Sequence, residues 1–149
     1  AKVLIFVYQL KKYDLVVLHQ LPSVKNPIQT ILSELDKKGT PRIFVAGYQT
    51  DLNALNQAQP FLNILSGGNR TPNDVTMVLN PSFNLFNRTD EIKTKLPSFS
   101  PLLSPYGEYT AAPSAQVMSY QKIGSVDTQY PLIVMGEANE KRTCIFAGE

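Results

Sequence analysis

The chain has 149 residues, of which 43% are hydrophobic and 17% charged, and its formal net charge is +2. This length suits one domain that buries roughly two-thirds of its unfolded surface, so we predict a single domain over residues 1–149. The small net charge and the scattered basic pairs argue against a nucleic-acid partner. With one histidine, His19, and one cysteine, Cys144, the sequence predicts no intrachain disulfide and no zinc site.

Both ends of the sequence coincide with predicted strands. The chain begins in the apolar strand Lys2–Val7 and stops at Ile145–Glu149, just as a last strand ends. No apolar run approaches the roughly 18 residues that a membrane-spanning helix needs, and no signal peptide opens the chain. We therefore expect this domain to be a piece of a larger protein.

The first third of the chain is typical of a β-α-β unit. Leu15–Leu18 and Ile43–Ala46 are continuous apolar runs, which indicate strands covered on both faces. Between them the sequence predicts a helix with Asn26 as N-cap, Pro27 at its first position and Gly39 at its end. Two strands joined by a helix favour a parallel pair.

The connection between Lys2–Val7 and Leu15–Leu18 is too short for a crossover helix. Only seven residues separate Val7 from Leu15, whereas parallel strands need about a dozen. Either the two strands form a hairpin, or residues are missing from the chain at about Val7–Tyr8. The second interpretation is favoured because both runs are apolar throughout rather than alternating.

The rest of the chain changes from helix-and-strand to mostly strand. A helix that starts over Thr50–Asn56 stops at Pro60, and a second, short helix is capped by Thr89. The strands that we predict are Asp74–Leu79, Ala115–Ile123, Pro131–Gly136 and Arg142–Ala147, the last three antiparallel. The prolines between Leu96 and Pro113 predict a long irregular loop, which in a compact domain is usually functional or part of an interface.

The most informative motif is the strand, tight turn and helix around Ile43–Gln49. In α/β hydrolytic folds such an elbow lifts a nucleophile above the edge of the sheet. Here the nucleophile position holds Val45, which has no reactive group. The motif therefore predicts an enzyme-like scaffold without its nucleophile.

Other catalytic and cofactor patterns are weak. Cys144 lies inside a predicted strand, which favours a buried structural cysteine over a nucleophile paired with His19. The glycine-rich run Ser66–Asn69 lacks the P-loop lysine and the dinucleotide-binding spacing, so we predict no cofactor. No two carboxylates are paired by sequence spacing for acid–base work.

The elbow resembles that of the class I glutamine amidotransferase-like superfamily. Its G-x-C-x-G-x-Q turn would place Ile43, Val45, Gly47 and Gln49 at the motif positions, and only Gly47 and Gln49 match. In the family's Gly-Gly-Pro oxyanion turn, which would follow Leu18-His19, only Pro22 is retained. The late histidine–glutamate pair of the family has no counterpart. These losses predict that glutaminase chemistry is absent.

A closer resemblance covers nearly the whole chain and involves the amidotransferase-like domain of uncharacterised bacterial membrane-anchored proteins. It is carried by Leu18–Ser23, Asn80–Phe86, Leu96–Pro97, Pro105–Tyr109 and Phe146–Glu149. The resemblance implies an α/β three-layer sandwich with a mostly parallel, flavodoxin-like sheet and antiparallel strands toward the C-terminus. It also implies that transmembrane helices precede this domain in the same polypeptide, which leaves the side of the membrane open.

We therefore predict a non-catalytic binding or scaffolding domain. Polar side chains at the carboxyl edge of the sheet would form the site, and the candidates are His19, Gln20, Tyr48, Gln49, Thr50 and Asn80. They would bind a small polar ligand or only satisfy loop backbone. Alternatively, an apolar patch of Phe99, Leu102, Leu103 and Tyr106 would dock another domain of the polypeptide or a protein partner. The competing hypothesis is a hydrolase with a rebuilt site that uses His19 and Tyr48.

Overall fold

The computed structural model describes residues 7–68 and 71–149. The α-helices in these ranges are α1 (Gln29–Lys38), α2 (Leu52–Ala58) and α3 (Asp90–Lys95). The strands are β1 (Val16–His19), β2 (Arg42–Val45), β3 (Leu62–Leu65), β4 (Asn73–Leu79), β5 (Leu102–Ser104), β6 (Glu108–Ala111), β7 (Gln116–Ile123), β8 (Val126–Ala138) and β9 (Lys141–Phe146). Short 3₁₀ helices cover Val7–Lys12 and Leu96–Ser98.

Seven of these strands form one mixed sheet in the order β1-β2-β9-β8-β7-β4-β5, and β3 pairs with β6 separately. The β1–β2 and β2–β9 pairs are parallel, whereas the other four pairs of the large sheet are antiparallel. The prediction of a flavodoxin-like three-layer sandwich with a mostly parallel sheet is therefore wrong. The antiparallel strands expected toward the C-terminus are confirmed.

The sheet is mixed because its C-terminal half folds through hairpins. Gly124 and Ser125 join β7 to β8, and Gly124 has a φ of 59°. Asn139 and Glu140 join β8 to β9, with φ angles of 51° and 62°. Connections of this length leave no room for crossover helices, so consecutive strands must run antiparallel. Among the C-terminal strands β7, β8 and β9, β9 alone has a parallel neighbour, because it lies beside β2.

The predicted β-α-β unit is confirmed as β1, α1 and β2. Gly39 ends α1 in the left-handed conformation with a φ of 67°, as expected. The predicted start of α1 is two residues too early, because its N-cap is Ile28 rather than Asn26. The backbone N–H and the side-chain amide of Asn26 donate instead to Oγ of Ser23, in the turn before the helix.

The long loop predicted between Leu96 and Pro113 is wrong in part, because it contains β5 and β6. These strands have only three and four residues, and their backbone partners are in β4 and β3, which are distant in sequence. The predicted strand Lys2–Val7 lies outside the described residues except for Val7, which begins a 3₁₀ helix. The missing residues expected near Tyr8 stay a prediction.

Apolar side chains form two buried clusters. The first joins α1 and α2 to the parallel strands and to the β3–β6 pair, and includes Leu35, Phe44, Leu55, Ile64 and Ile145. The second lies on the antiparallel strands and includes Val75, Met77, Phe83, Met118 and Leu132. The parallel part of the sheet thus packs against helices, while the antiparallel part has a core of its own.

We expect Leu132→Ala to lower the free energy of unfolding by about 2–5 kcal/mol, because it deletes a fully buried side chain and leaves a cavity. The matched control is Leu65→Ala, since Leu65 is exposed and should lose at most about 0.5 kcal/mol. Urea unfolding followed by circular dichroism measures both changes. Equal losses for the two variants would contradict the assignment of Leu132 to the core.

Candidate functional site

The site is built where β1 and β2 end at the same edge of the sheet. His19, the last residue of β1, lies in register with Val45, the last residue of β2. Gln20 follows with a φ of 52°, and its backbone N–H donates to the carbonyl of Val45 at 2.8 Å. A left-handed residue directly after the strand turns the chain sharply away from the sheet, so the side chains of His19 and Gln20 stay at this edge.

The turn after β2 is closed by Thr50. The backbone N–H of Gly47 donates to Oγ1 of Thr50 at 2.9 Å, and the N–H of Thr50 donates to the carbonyl of Gly47 at 3.0 Å. Asp51 then caps α2, because its carboxylate accepts from the N–H of Ala54 at 3.1 Å. Thr50 therefore has a structural role in this turn.

The turns after β1 and β2 are hydrogen-bonded to each other. Oε1 of Gln20 accepts from the backbone N–H of Gln49 at 2.9 Å. The carbonyl of Pro22, which follows a cis peptide bond, accepts from the N–H of Asp51 at 2.8 Å. The Gln20 side chain thus uses the Gln49 amide, which would otherwise be available to a ligand.

Glu149 completes the site from the far end of the chain. Its Oε1 accepts from the backbone N–H of Tyr48 at 3.2 Å, and its Oε2 lies 3.4 Å from Nε2 of His19. A Cβ on Gly47 would lie 2.2 Å from the carboxylate carbon of Glu149, so only glycine admits this carboxylate without displacement. We call His19, Gln20, Gly47–Gln49 and Glu149 the elbow site.

Backbone pairing with β5 holds Glu149 in place. The N–H of Leu103 donates to the carbonyl of Glu149 at 2.9 Å, and the N–H of Glu149 donates to the carbonyl of Leu103 at 3.1 Å. Beside this pair, buried Ser104 donates to the carbonyl of Ala147 at 2.6 Å and hydrogen-bonds the hydroxyl of Tyr109. The Glu149 carboxylate is therefore positioned by a fixed backbone.

The structure brings together five of the six predicted site residues, namely His19, Gln20, Tyr48, Gln49 and Thr50. The His19 side chain is 60% exposed and Tyr48 is 69% exposed, so both are accessible to a partner. Asn80 lies elsewhere. It follows β4, which runs antiparallel to β2 and is separated from it by β9, β8 and β7. The ends of β4 and β2 consequently lie at opposite edges of the sheet.

Asn80 instead stabilises the turn after β4. Its side-chain amide donates to the carbonyl of Val117 at 2.7 Å, and its Oδ1 accepts from the N–H of Ser82 at 3.0 Å. Asn80 was grouped with the site because β4 was expected to be another parallel strand. Because β4 runs antiparallel to β2, Asn80 does not lie at the elbow site.

Sequence reasoning missed Glu149. The residue lies two positions after the predicted strand Arg142–Ala147, which was expected to pair only in an antiparallel manner. In the structure β9 also pairs in parallel with β2, with Val45 opposite Phe146. The available signal was the position of Glu149 just beyond a strand end, but using it requires knowing which strand lies beside β2.

Cys144 is remote from this chemistry. It lies two residues before the end of β9 and packs against the second apolar cluster. Burial raises the pKa of the thiol to about 11. These observations support the interpretation of Cys144 as a structural residue and separate it from His19.

The elbow site combines a histidine, a carboxylate and a turn, while Val45, where the elbow motif would carry a nucleophile, has no reactive group. The His19–Glu149 contact is the arrangement that orients a general base. The backbone amides of Tyr48 and Gln49, which could stabilise an oxyanion, already donate to Glu149 and Gln20. Within residues 7–68 and 71–149, no group of three histidine, cysteine or acidic side chains is placed to hold a metal ion.

Comparisons with known proteins support the fold but name no family. No protein-family model and no curated protein matches the chain. It is similar to the cytoplasmic protein STM1381 from Salmonella typhimurium LT2, with 17% identity and a TM-score of 0.56, over 96% of this chain and 63% of that one. It is also similar to a cold-adapted β-galactosidase from Rahnella sp. R3, with 11% identity and a TM-score of 0.52.

The chain spans less than two thirds of the length of STM1381. The match to the galactosidase includes 95% of this chain but only 21% of the galactosidase. At these identities the likeness shows a shared fold alone. Neither name indicates the class I glutamine amidotransferase-like superfamily, so the resemblance of the elbow stays a prediction.

We expect Gly47→Ala to lower the free energy of unfolding by about 1 kcal/mol, because its methyl group displaces the Glu149 carboxylate from the Tyr48 amide. The φ of Gly47 lies outside the left-handed region, so alanine itself is not strained. In a Glu149→Ala background the same substitution should change the free energy of unfolding little, because no carboxylate is left to displace. Urea unfolding of the double-mutant cycle, with the Tyr48 amide resonance as a local readout, measures this coupling. Equal costs in both backgrounds would contradict the contact.

We expect native Cys144 to react slowly with iodoacetamide at pH 8, because a pKa of about 11 leaves about a hundredfold less thiolate than an ordinary cysteine has. Mass spectrometry over time measures the modification. The control is the same protein unfolded in urea, which should be alkylated at the rate of a free thiol. Rapid alkylation of the folded domain would show that the thiol is accessible.

Proposed function

We propose that this chain is a non-catalytic binding or scaffolding domain of a membrane-anchored bacterial protein. The observation that carries the proposal is the occupied elbow. Its backbone amides donate to Glu149 and Gln20, and its nucleophile position is Val45. An enzyme of the elbow type needs both a nucleophile and free amides to stabilise the developing charge.

The surface next to the elbow supports a docking role. Leu103 pairs with Glu149 through its backbone while its side chain is 44% exposed. Phe99 is 60% exposed and Tyr106 is 43% exposed, and Leu102 is half-buried. Large apolar side chains that are exposed on one short segment are typical of protein-interaction surfaces. We call the exposed residues Phe99, Leu103 and Tyr106 the docking patch, because Leu102, which was predicted to belong to it, packs against the second apolar cluster.

A second set of exposed apolar side chains lies in the connection from β4 to β5. The exposed residues Leu85, Phe86 and Ile92 lie between β4 and β5, and α3 buries none of its side chains. A helix without a buried face gains little from packing within its own domain. Contact with a partner would supply the burial that α3 lacks here.

The partner that we propose is another domain of the same polypeptide or a separate protein. No helix of the described residues is long and apolar enough to cross a membrane. The proposed anchor is the set of transmembrane helices that, by the resemblance, would precede this domain in the polypeptide. A scaffold of this kind needs no turnover, and its exposed His19 and Tyr48 would add polar contacts at the rim of the docking patch.

We expect a photo-crosslinking residue at position 99 of the full-length protein, in its own cells, to form a specific adduct with one partner domain or protein. Leu103→Asp should abolish the adduct, because the introduced carboxylate would lose its hydration when the partner covers position 103. The melting temperature should not change, because position 103 is exposed in the free domain. The control position is Val126, which is 61% exposed and follows the β7–β8 turn.

Equal adducts at positions 99 and 126, or no adduct at either, would contradict the docking proposal. Hydrolysis of an ester or amide substrate that is lost in His19→Ala would instead support the hydrolase hypothesis. A rise in melting temperature with a small polar metabolite, lost in Tyr48→Ala, would make the elbow site a ligand pocket.

A further inference from the structure

A cleft of about 320 Å³ lies at the edge of the sheet opposite the elbow site. It is lined by the end of α1, by the connection from α2 to β3, and by the first residues of β2 and β9. Arg42 and Lys141 begin those two strands. Because β2 and β9 are parallel, both cationic side chains start from the same, amino edge.

Arg42 is an unusual residue to find at the base of such a cleft. It is only 4% exposed, and one Nη lies 2.7 Å from Oδ1 of Asp36. Its Nε has no acceptor among the described residues. Buried guanidinium N–H groups are nearly always hydrogen-bonded, so Arg42 keeps donor capacity that Asp36 and the carbonyl of Thr40 do not use, at the base of the cleft that it lines.

The charges of the cleft do not balance. Nζ of Lys141 lies 2.8 Å from Oδ2 of Asp36, so two cations share one carboxylate and leave a formal charge of +1. Although burial disfavours the ionised form, the hydrogen bond from Lys141 and the positive charge of Arg42 lower the pKa of Asp36, and the carboxylate is ionised at neutral pH. Lys141 is 39% exposed, which makes its ammonium group the accessible cation.

The walls provide both apolar and amide contacts. Leu32, Ala58 and Pro60 form apolar surface, while Gln57 and Asn139 carry side-chain amides. Cleft walls of mixed character with a few converging polar groups are typical of small-molecule sites. We propose that this cleft binds a small organic carboxylate, with its charge at Lys141 and Arg42 and its apolar body against Leu32 and Pro60.

The experiment is an NMR titration of the ¹⁵N-labelled chain with benzoate, which has a carboxylate on an apolar body. We expect saturable shifts of the Asn139 and Lys141 amides, and no such shifts with benzamide, its neutral analogue. Lys141→Met should weaken benzoate binding at least tenfold. Asp36→Asn should strengthen it several-fold, because it removes the carboxylate that competes for both cations.

The matched control is Lys93→Met. Among the described residues Lys93 forms an ion pair with Asp90 alone, on exposed α3, so its loss should leave benzoate binding unchanged. Equal shifts with benzamide, or an unchanged affinity in Lys141→Met, would overturn the proposal and leave the three charges as a structural ion triad. Inorganic phosphate that competes with equal affinity would overturn the assignment to an organic carboxylate. The comparisons with benzamide, with Lys141→Met and with inorganic phosphate do not use Asp36→Asn, so they test the proposal even where that variant does not fold.

Discussion

The segment Phe146–Glu149 is the constraint on which the rest of this domain depends. The carbonyl of Phe146 accepts from the N–H of Ala46 after β2, and the N–H of Ala147 donates to the carbonyl of Leu132 in β8. Glu149 then pairs with Leu103 in β5. This short segment is therefore hydrogen-bonded to the chain just after β2, to the antiparallel strand β8 and to the edge strand β5. Its close approach is possible because Gly47 has no side chain where the Glu149 carboxylate lies.

The same segment decides what the elbow can do. By delivering a carboxylate to the Tyr48 amide and to His19, it satisfies groups that would otherwise bind a substrate or an oxyanion. A site whose donors are already used by its own chain is better suited to a scaffold than to a catalyst. Leu103, an exposed residue of the proposed docking patch, pairs with Glu149 through its backbone and so lies beside the closed elbow.

The two edges of the parallel strands have different chemistry. At the carboxyl edge, backbone amides are paired within the chain and the neighbouring surface is apolar. At the amino edge, Arg42 and Lys141 converge on Asp36 and leave a net positive cleft. The helix α1 runs between the two edges, because it begins after the turn that follows β1 and has Asp36 in its last turn. Protein docking and small-anion binding would therefore use separate surfaces of one scaffold, and each can be removed by substitution without touching the other.

The sequence by itself determined the local elements whose signals lie within a few residues. The glycine that ends α1, the Thr89 cap of α3, the β-α-β unit and the elbow after β2 all depend on short-range sterics and hydrogen bonds. Only the tertiary structure decided the direction of β4, the parallel placement of β9 beside β2, and the short strands β5 and β6. Those features depend on partners far away in the chain, and the period of an apolar run carries no information about its neighbour. For that reason local position was enough to bring five of the six predicted residues to one edge, whereas the places of Asn80 and Glu149 depended on the order and direction of distant strands.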